Sequence, residues 1–399
     1  MNERIVRLAA RGDGVTASGQ FVARTAPGDE VDGDGRIHRG PNHRDPACRH
    51  YGTCGGCQLQ HISDQAYQHY VIDRISGALN AQGLGLPEMR QPILSPPGTR
   101  RRASMTAERK GKQVRLGFNE AGSHQLVDVL ECPLLAPELH ALIGPLRPFL
   151  RDMIAERRRV SVRMTLSDQG VDLMISGIVA EGLAAAEAMT AFATRHRLAR
   201  LSADEGFGAY TRWEPAPVTI TFGGVPVAFP EGAFVQATRD GEAALVAAVG
   251  AAVGAAVGGA TAIADLFAGL GTFAFALPGR VHAVEGARDA VLALQEAANR
   301  SQRLITAEHR DLFRRPLTAP ELNRFDAVVI DPPRAGAKEQ VVELAKSDVA
   351  RIASVSCNPA TFARDAKILT DGGYRLDWIQ PVGQFRWSTH VELAACFCR

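Results

Sequence analysis

At 399 residues, 46% of them hydrophobic and 22% charged, the chain has the make-up of a folded globular protein with room for two or three domains. Its 45 Lys and Arg against 43 Asp and Glu leave a formal charge of +2, which excludes a globally basic field and confines any nucleic-acid contact to local patches. Met1-Asn2-Glu3-Arg4 does not open an apolar leader, so a cytoplasmic, reducing setting is expected, where cysteines read as metal ligands or nucleophiles before disulfides.

Residues 1–45 carry short apolar alternations (Ile5-Val6-Arg7-Leu8, Gln20-Phe21-Val22) among Gly and Asp, which predicts a few small strands joined by turns. Residues 46–232 form the expected central domain. It begins with a cysteine cluster at 46–60 and a helix over about 61–86, closed by Gly83 and Gly85. Strands are expected at 101–106, 114–118, 125–129, 160–166 and 171–175, with a helix from 137 to about 158 between them. A hairpin is expected across Phe222-Gly223-Gly224-Val225. That mixture predicts an α+β domain on antiparallel sheet.

Two basic groups stand out: Arg100, Arg101, Arg102, Arg109, Lys110, Lys112 and Arg115 on a predicted hairpin, and Arg157, Arg158, Arg159 and Arg163. Such groups can neutralise phosphates and orient an RNA.

From 243 to 264 no residue is charged, a run long enough to span a bilayer. It is built largely of Ala, Gly and Val, with AAVG three times between 247 and 258, and leads into a cofactor motif. A buried helix followed by a strand is expected, and no membrane association. Over 233–399 strands alternate with helices: strands at 262–267, 280–285, 305–308, 325–330, 352–356, 374–380 and 391–397, helices at 289–300, 338–345 and 360–369. The pattern predicts an α/β, Rossmann-like domain with a seven-stranded, mostly parallel sheet and its ligands at the strand C-termini.

The first of these strands ends in Asp265, followed by Phe267 and by Gly269-Leu270-Gly271. Glycines let a backbone approach a ligand closely, and the acid before them suits a ligand carrying an amine better than one carrying phosphate. Glu285, ending the second strand, can accept both ribose hydroxyls, a spacing that NAD sites share. Asp311, after the third, can reach an adenine amino group or cap a helix. Asp331-Pro332-Pro333-Arg334 ends the fourth strand, Ser356-Cys357-Asn358-Pro359 the fifth, and His390-Val391-Glu392 opens the last. A thiol and a carboxylate so placed suit covalent catalysis on a pyrimidine: sulfur adds to carbon 6, carbon 5 becomes nucleophilic, and a base removes its proton. Amino methylation on the same fold favours an aromatic where Arg334 stands. Cytosine enzymes commonly place Pro before the nucleophile, whereas Pro359 follows it.

DPPRAG (331–336), SCNPATFARD (356–365), HVE (390–392) and FVQ (234–236) resemble the bacterial RNA uracil-5-methyltransferase family, particularly its 23S rRNA branch, over nearly the whole chain. The resemblance implies a class I methyltransferase fold with S-adenosylmethionine as cofactor, Cys357 as nucleophile and Glu392 as base. It also implies Gln236, Glu285 and Asp331 as cofactor or pocket residues, and Phe267 beside the methionine moiety. The implied partner is RNA, most simply 23S rRNA, with transfer RNA as the alternative substrate and no obligate protein partner; a chain that binds RNA through an iron–sulfur centre without catalysis is the other reading. Thr238 stands where the family often has Asn. Residues 1–45 resemble the start of an RNA-binding TRAM barrel but look too short for its five strands, so a truncated barrel is expected.

Cys48, Cys54 and Cys57 sit on one Gly-rich turn, and Cys132 can return as a fourth ligand. Four thiolates suit zinc or an iron–sulfur cluster. The family resemblance points to [4Fe–4S] rather than Zn.

Overall fold

The computed structural model describes residues 2–178, 180, 182–254 and 262–399. At the N-terminus β1 (Glu3–Leu8), β2 (Gly14–Thr16), β3 (Phe21–Val22), β4 (Glu30–Val31) and β5 (Ile37–His38) form one antiparallel sheet in the order β3-β2-β1-β4-β5. The expectation of fewer than five strands is therefore corrected. Three of the strands are only two residues long, and Gly19 (φ 91°) and Gly35 (φ 80°) make tight turns in a left-handed conformation that costs glycine little. Asp29 ties the return, its carboxylate accepting the Ala26 and Gly40 amides at 2.7 Å each.

Helix α1 (Asp64–Ala81) starts where the Ser63 hydroxyl accepts the Ala66 amide. Tyr67, Val71, Ile75 and Leu79, four apart along one face, are each at most 1% exposed. They pack with Phe362, Ile379 and Phe397 of the C-terminal body, so α1 covers the C-terminal sheet and not the central one. The short strands β6 (Glu88–Met89) and β7 (Ile93–Leu94) likewise join the C-terminal sheet.

The central body comprises β8 (Arg102–Lys110), β9 (Gln113–Asn119), β10 (Leu126–Asp128), α2 (Pro137–Arg151), β11 (Arg159–Leu166), β12 (Val171–Ser176), α3 (Gly182–Arg195), β13 (Arg200–Asp204) and β14 (Ala209–Trp213). Its sheet runs β10-β9-β8-β11-β12-β13-β14. Only the β12–β13 pair, joined through α3, is parallel. Leu139, Leu142, Leu146 and Leu150 bury one face of α2. That helix stops short of the expected residue 158 because Met153 and Ile154 turn into the core. The chain then reverses at Arg157 (φ 60°), whose amide donates to the Arg109 carbonyl at 3.0 Å. The hairpin of β15 (Thr219–Phe222) and β16 (Val225–Ala228) closes through Gly223 and Gly224, both with positive φ, as a two-residue turn between twisted strands requires.

The C-terminal body contains α4 (Arg239–Gly254), β17 (Ala262–Leu266), β18 (Arg280–Glu285), α5 (Arg288–Arg300), β19 (Ile305–His309), α6 (Ala319–Leu322), β20 (Ala327–Ile330), α7 (Lys338–Lys346), β21 (Arg351–Ser356), α8 (Pro359–Asp371), β22 (Arg375–Gly383) and β23 (Glu392–Cys398). Its strands run β19-β18-β17-β20-β21-β23-β22-β6, with β7 also on β22. Among them β23 alone is antiparallel to its neighbours. The seven strands expected from periodicity are present, extended by two short ones from earlier in the chain. Two AAVG repeats lie in α4, where Leu245, Ala248, Val249 and Ala252 pack on the sheet; the third lies outside the described residues. No helix among the described residues is long and apolar enough to cross a membrane.

Candidate active site

Two turns at the C-terminal edge of the sheet are stitched together. Asn358 caps α8, its side-chain oxygen accepting the Ala360 amide at 3.1 Å, with Pro359 in the first helical turn. The same side chain donates to the Arg334 carbonyl at 3.2 Å, and the Thr361 hydroxyl donates to that carbonyl at 3.3 Å. Asp365 accepts the Ala337 amide at 3.0 Å. Gly336 (φ 77°) leaves the space these contacts need, since a Cβ there would come within 2.6 Å of the Asp365 carboxylate. The two motifs thus fix each other, and Asp331 and Cys357 are held facing one cavity of about 850 Å³.

Glu392 enters that cavity from the start of β23 and is 5% exposed. Gln384, at the end of β22, donates through its amide nitrogen to Glu392 and, at 2.7 Å, to the Gln236 side-chain oxygen. Its own oxygen accepts the Ala237 amide at 2.8 Å. Gln236 and Glu392, both lining the cavity, are joined into one hydrogen-bonded chain by Gln384 behind them. Gly241 permits it, because a Cβ there would lie 2.6 Å from the Gln384 Cβ. Thr238 is not a cavity residue. It is buried, its hydroxyl accepts the Gly241 amide at the start of α4, and it meets Ser95 at 2.8 Å.

The opposite half of the cavity has the features of a nucleoside site. Phe267 holds a left-handed backbone (φ 62°), an uncommon conformation for a bulky residue, and its ring lies 5.4 Å from that of Phe313. Glu285 accepts the Gly269 amide at 2.9 Å and the Ala287 amide at 2.7 Å, which orients its carboxylate at the cavity edge. Asp311 accepts the Phe313 amide at 3.0 Å and lines the same wall. Gly271 (φ 93°) lies behind the lining, where a Cβ would meet the Phe275 ring at 2.8 Å. Asp265 lies beneath the floor, wholly buried, both carboxylate oxygens lacking a hydrogen-bond partner of good geometry, with the Ala274 amide exerting only a modest pull on its proton affinity.

The site is a basin of desolvated acids. Burial pushes Asp331 up to about 7. Burial, then the Asp331 charge, lifts Glu392 to about 8, opposed by Arg102. Burial, Asp331 and Glu285 raise Asp265 well above the carboxylate range. Cys357, half-buried, is raised by burial and then by Glu392 and Asp331. An untuned thiol with some thiolate near neutrality, as its type alone suggests, is therefore not what the protein provides. A cation seated in the basin would lower all four groups together.

The three consecutive arginines read as one RNA-binding patch have separate fates. Arg100 is desolvated and lies 5.4 Å from the Phe385 ring, toward the cysteines. Arg101 is 3% exposed, paired with Glu242 at 2.5 Å and donating to the Gln236 carbonyl. Arg102 lines the larger cavity, stacked 4.4 Å from the exposed Phe234 ring, with its Nε buried and unpartnered; burial lowers it to about 10. Arg157, Arg158, Arg159 and Arg163 remain exposed. Sequence reasoning also passed over Gln384 and Phe313, which no motif marks.

Cys48, Cys54, Cys57 and Cys132 line a second cavity of about 330 Å³, with Arg100, Phe385 and His390 on its catalytic side. The cysteine turn docks on the β9–β10 hairpin, the Gly55 amide donating to the Asn119 carbonyl at 2.9 Å. Burial, reinforced by the neighbouring thiols, raises Cys48, Cys54 and Cys57, the last to about 12. Among the described residues no three His, Cys, Asp or Glu side chains converge as ligands of a single metal ion.

Residues 229–398 match the family of tRNA (uracil-5-)-methyltransferases. An uncharacterised RNA methyltransferase of Zymomonas mobilis is 50% identical over 399 residues, covering 100% of both chains. The 23S rRNA (uracil(1939)-C(5))-methyltransferase RlmD of Chromohalobacter salexigens is 31% identical over 97% of this chain and 87% of its own. The crystal structure of Pyrococcus abyssi tRNA (uracil-54, C5)-methyltransferase in complex with S-adenosyl-L-homocysteine shares the fold, with a TM-score of 0.73 over 100% of both chains at 22% identity. The chain belongs to the RNA uracil-5-methyltransferases, enzymes that methylate carbon 5 of uracil in RNA from S-adenosylmethionine.

Proposed function

We propose that the substrate is 23S rRNA and that Cys357 and Glu392 carry the chemistry. S-adenosylmethionine supplies a methyl group on a cationic sulfur. Cys357, as the thiolate left when its proton passes to solvent, adds to carbon 6 of the uracil ring, and carbon 5 so activated takes the methyl, leaving the sulfonium's sulfur as a neutral thioether. Glu392 then takes the carbon-5 proton, the ring double bond re-forms, and the Cys357 thiolate leaves. Phe267, Glu285 and Asp311 hold the nucleoside half of the cofactor. Gly269 lets the turn come close to it while Gly271 makes room for the Phe275 ring behind that turn, Asp331 and Asp265 favour the cofactor's positive charge, and Gln236 with Gln384 positions Glu392. Arg102 and Phe234 face the flipped base. The observation that carries this reading is the single cavity shared by the Cys357 thiol, the Glu392 carboxyl and the Phe267–Glu285 wall. The acid-rich field there suits a sulfonium and is poorly suited to a phosphate-bearing cofactor.

The four cysteines are read as holders of a [4Fe–4S] cluster. The four thiols line one cavity of about 330 Å³, four thiolates suit zinc or a cluster alike, and the family resemblance favours the cluster. A cluster there would tie the 48–57 turn to Cys132 and relieve the mutual repulsion of the thiolates. The 23S rRNA substrate is supported by the likeness to the rRNA enzyme of Chromohalobacter over 87% of its length. Transfer RNA is the second reading, favoured by the Pyrococcus fold neighbour. The cytoplasm is the expected compartment for either. Incubating the enzyme with labelled S-adenosylmethionine and separately with unmodified 23S rRNA and tRNA, followed by nucleoside analysis, tests the assignment. 5-Methyluridine in 23S rRNA alone is expected; label in tRNA alone, or on a cytosine or an amino group, contradicts it.

A further inference from the structure

We propose that the cavity beside Trp387 receives a second, unpaired nucleobase of the RNA, distinct from the target uracil. This rests on the RNA-directed activity above. The segment joining β22 to β23 is a wall with two sides. Phe385 and His390 face the catalytic cavity, while Arg386 and Trp387 line another of about 660 Å³, within the range of small-ligand sites. Pro41, Asn42, Gln60 and Ser63 close its far side, so the N-terminal body and the catalytic body both contribute.

The lining suits a flat heterocycle. Trp387 is held in a left-handed backbone (φ 59°), its carbonyl pinned by the Gln58 and Leu59 amides at 2.8 and 2.9 Å. Two ties therefore keep a large aromatic side chain in a conformation such residues avoid. The Arg386 guanidinium lies 5.0 Å from the Trp387 ring centre. It is fixed by Asp64 at 2.5 Å and the Ser95 carbonyl at 3.2 Å, with its Nε buried and unpartnered. The Asn42 and Gln60 amides close the wall around this aromatic and cationic pair, Asn42 held by the Ser63 hydroxyl and the Pro27 carbonyl and Gln60 by the Cys48 amide, and Arg44 is exposed at the mouth. The carboxylates Asp45 and Asp64 also line the cavity. They disfavour a bare phosphate and leave a base, which stacks on an aromatic face and offers polar edges, as the fitting ligand. An RNA strand delivering its uracil to one side of this wall can place a neighbouring base on the other.

An adenine octamer offers no uracil to the catalytic cavity and is the direct probe. With the full chain it should quench tryptophan fluorescence, and Trp387→Phe should abolish the quench while retaining most of the affinity. Trp387→Ala should weaken octamer binding about 5- to 150-fold, the range for loss of one stacked base. It should raise the KM for rRNA correspondingly, with kcat and S-adenosylmethionine affinity changed less than about threefold. Ala47→Trp, at an exposed position on the cavity wall, fills the space while leaving the residues of the strained turn unchanged and should give the same loss. Undiminished quenching in Trp387→Phe, or unchanged octamer affinity and KM in Ala47→Trp, overturns the proposal. A chain that methylates no RNA yet keeps the Trp387-dependent quench overturns the methylation mechanism and leaves this pocket standing.

Discussion

Glu392→Gln separates the electrostatics of the basin from its chemistry. Folded Glu392 is lifted from 4.5 to about 8, mainly by burial and then by the Asp331 charge. A carboxyl raised in the folded state stabilises the fold fully below its unfolded value, and that contribution is lost as pH rises toward the folded one. At about 1.4 kcal/mol per pH unit, the wild type should lose about 4 kcal/mol between about pH 5 and pH 8 relative to a variant that cannot ionise. Gln is nearly isosteric, and its oxygen can still accept from the Gln384 amide that now serves Glu392. The variant should therefore be near wild type in stability at low pH and progressively more stable above it. The assay is the difference in denaturant midpoint between the two proteins as a function of pH. Saturating S-adenosylmethionine should flatten the wild-type slope, because a cation in the basin lowers the folded value of Glu392. Parallel pH curves for the two proteins would refute the buried-acid argument.

Gln384→Leu removes the link between Gln236 and Glu392 and strands the Ala237 amide; a cost of about 1–3 kcal/mol and a kcat loss of about 10- to 100-fold are expected, with S-adenosylmethionine affinity by calorimetry little changed. Gly241→Ala forces a Cβ to within 2.6 Å of the Gln384 Cβ and 2.7 Å of the Thr238 hydroxyl, so thermal stability should drop by about 1–3 kcal/mol and kcat should fall along with it. Cys132→Ser should lower bound iron, measured anaerobically, from about four atoms per chain to well under half, while zinc content stays negligible in both proteins.

Sequence pattern exposed the chemistry more readily than the architecture. The β17 segment was legible because an acid, then Gly269 and Gly271, interrupt an apolar strand, and the hairpin at Gly223-Gly224 because only glycine makes that turn freely. Helix α1 was misplaced for a physical reason: Tyr67, Val71, Ile75 and Leu79 declare a buried face but not which sheet buries it. The two-residue strands of the N-terminal sheet are too short for alternation to register. Arg100, Arg101 and Arg102 look alike in sequence, yet Glu242, Phe385 and Phe234, their partners in the fold, send them to three environments. Gln384 lies eight residues before Glu392 without any motif, and only the pairing of β22 with β23 reveals their contact. The raised Cys357 likewise depends on burial, then on Glu392 and Asp331, which come together only in the fold.

Whether a sulfur–carbon bond forms at Cys357 is the most direct test of the catalytic account. RNA containing 5-fluorouridine at the target position blocks proton removal from carbon 5. Digestion of the trapped complex and mass spectrometry should then place a methylated fluorouridine nucleotide on the peptide bearing Cys357, with none formed by Cys357→Ala. An enzyme that methylates ordinary RNA but yields no such adduct, or a Cys357→Ala variant that methylates at the wild-type rate, would contradict it.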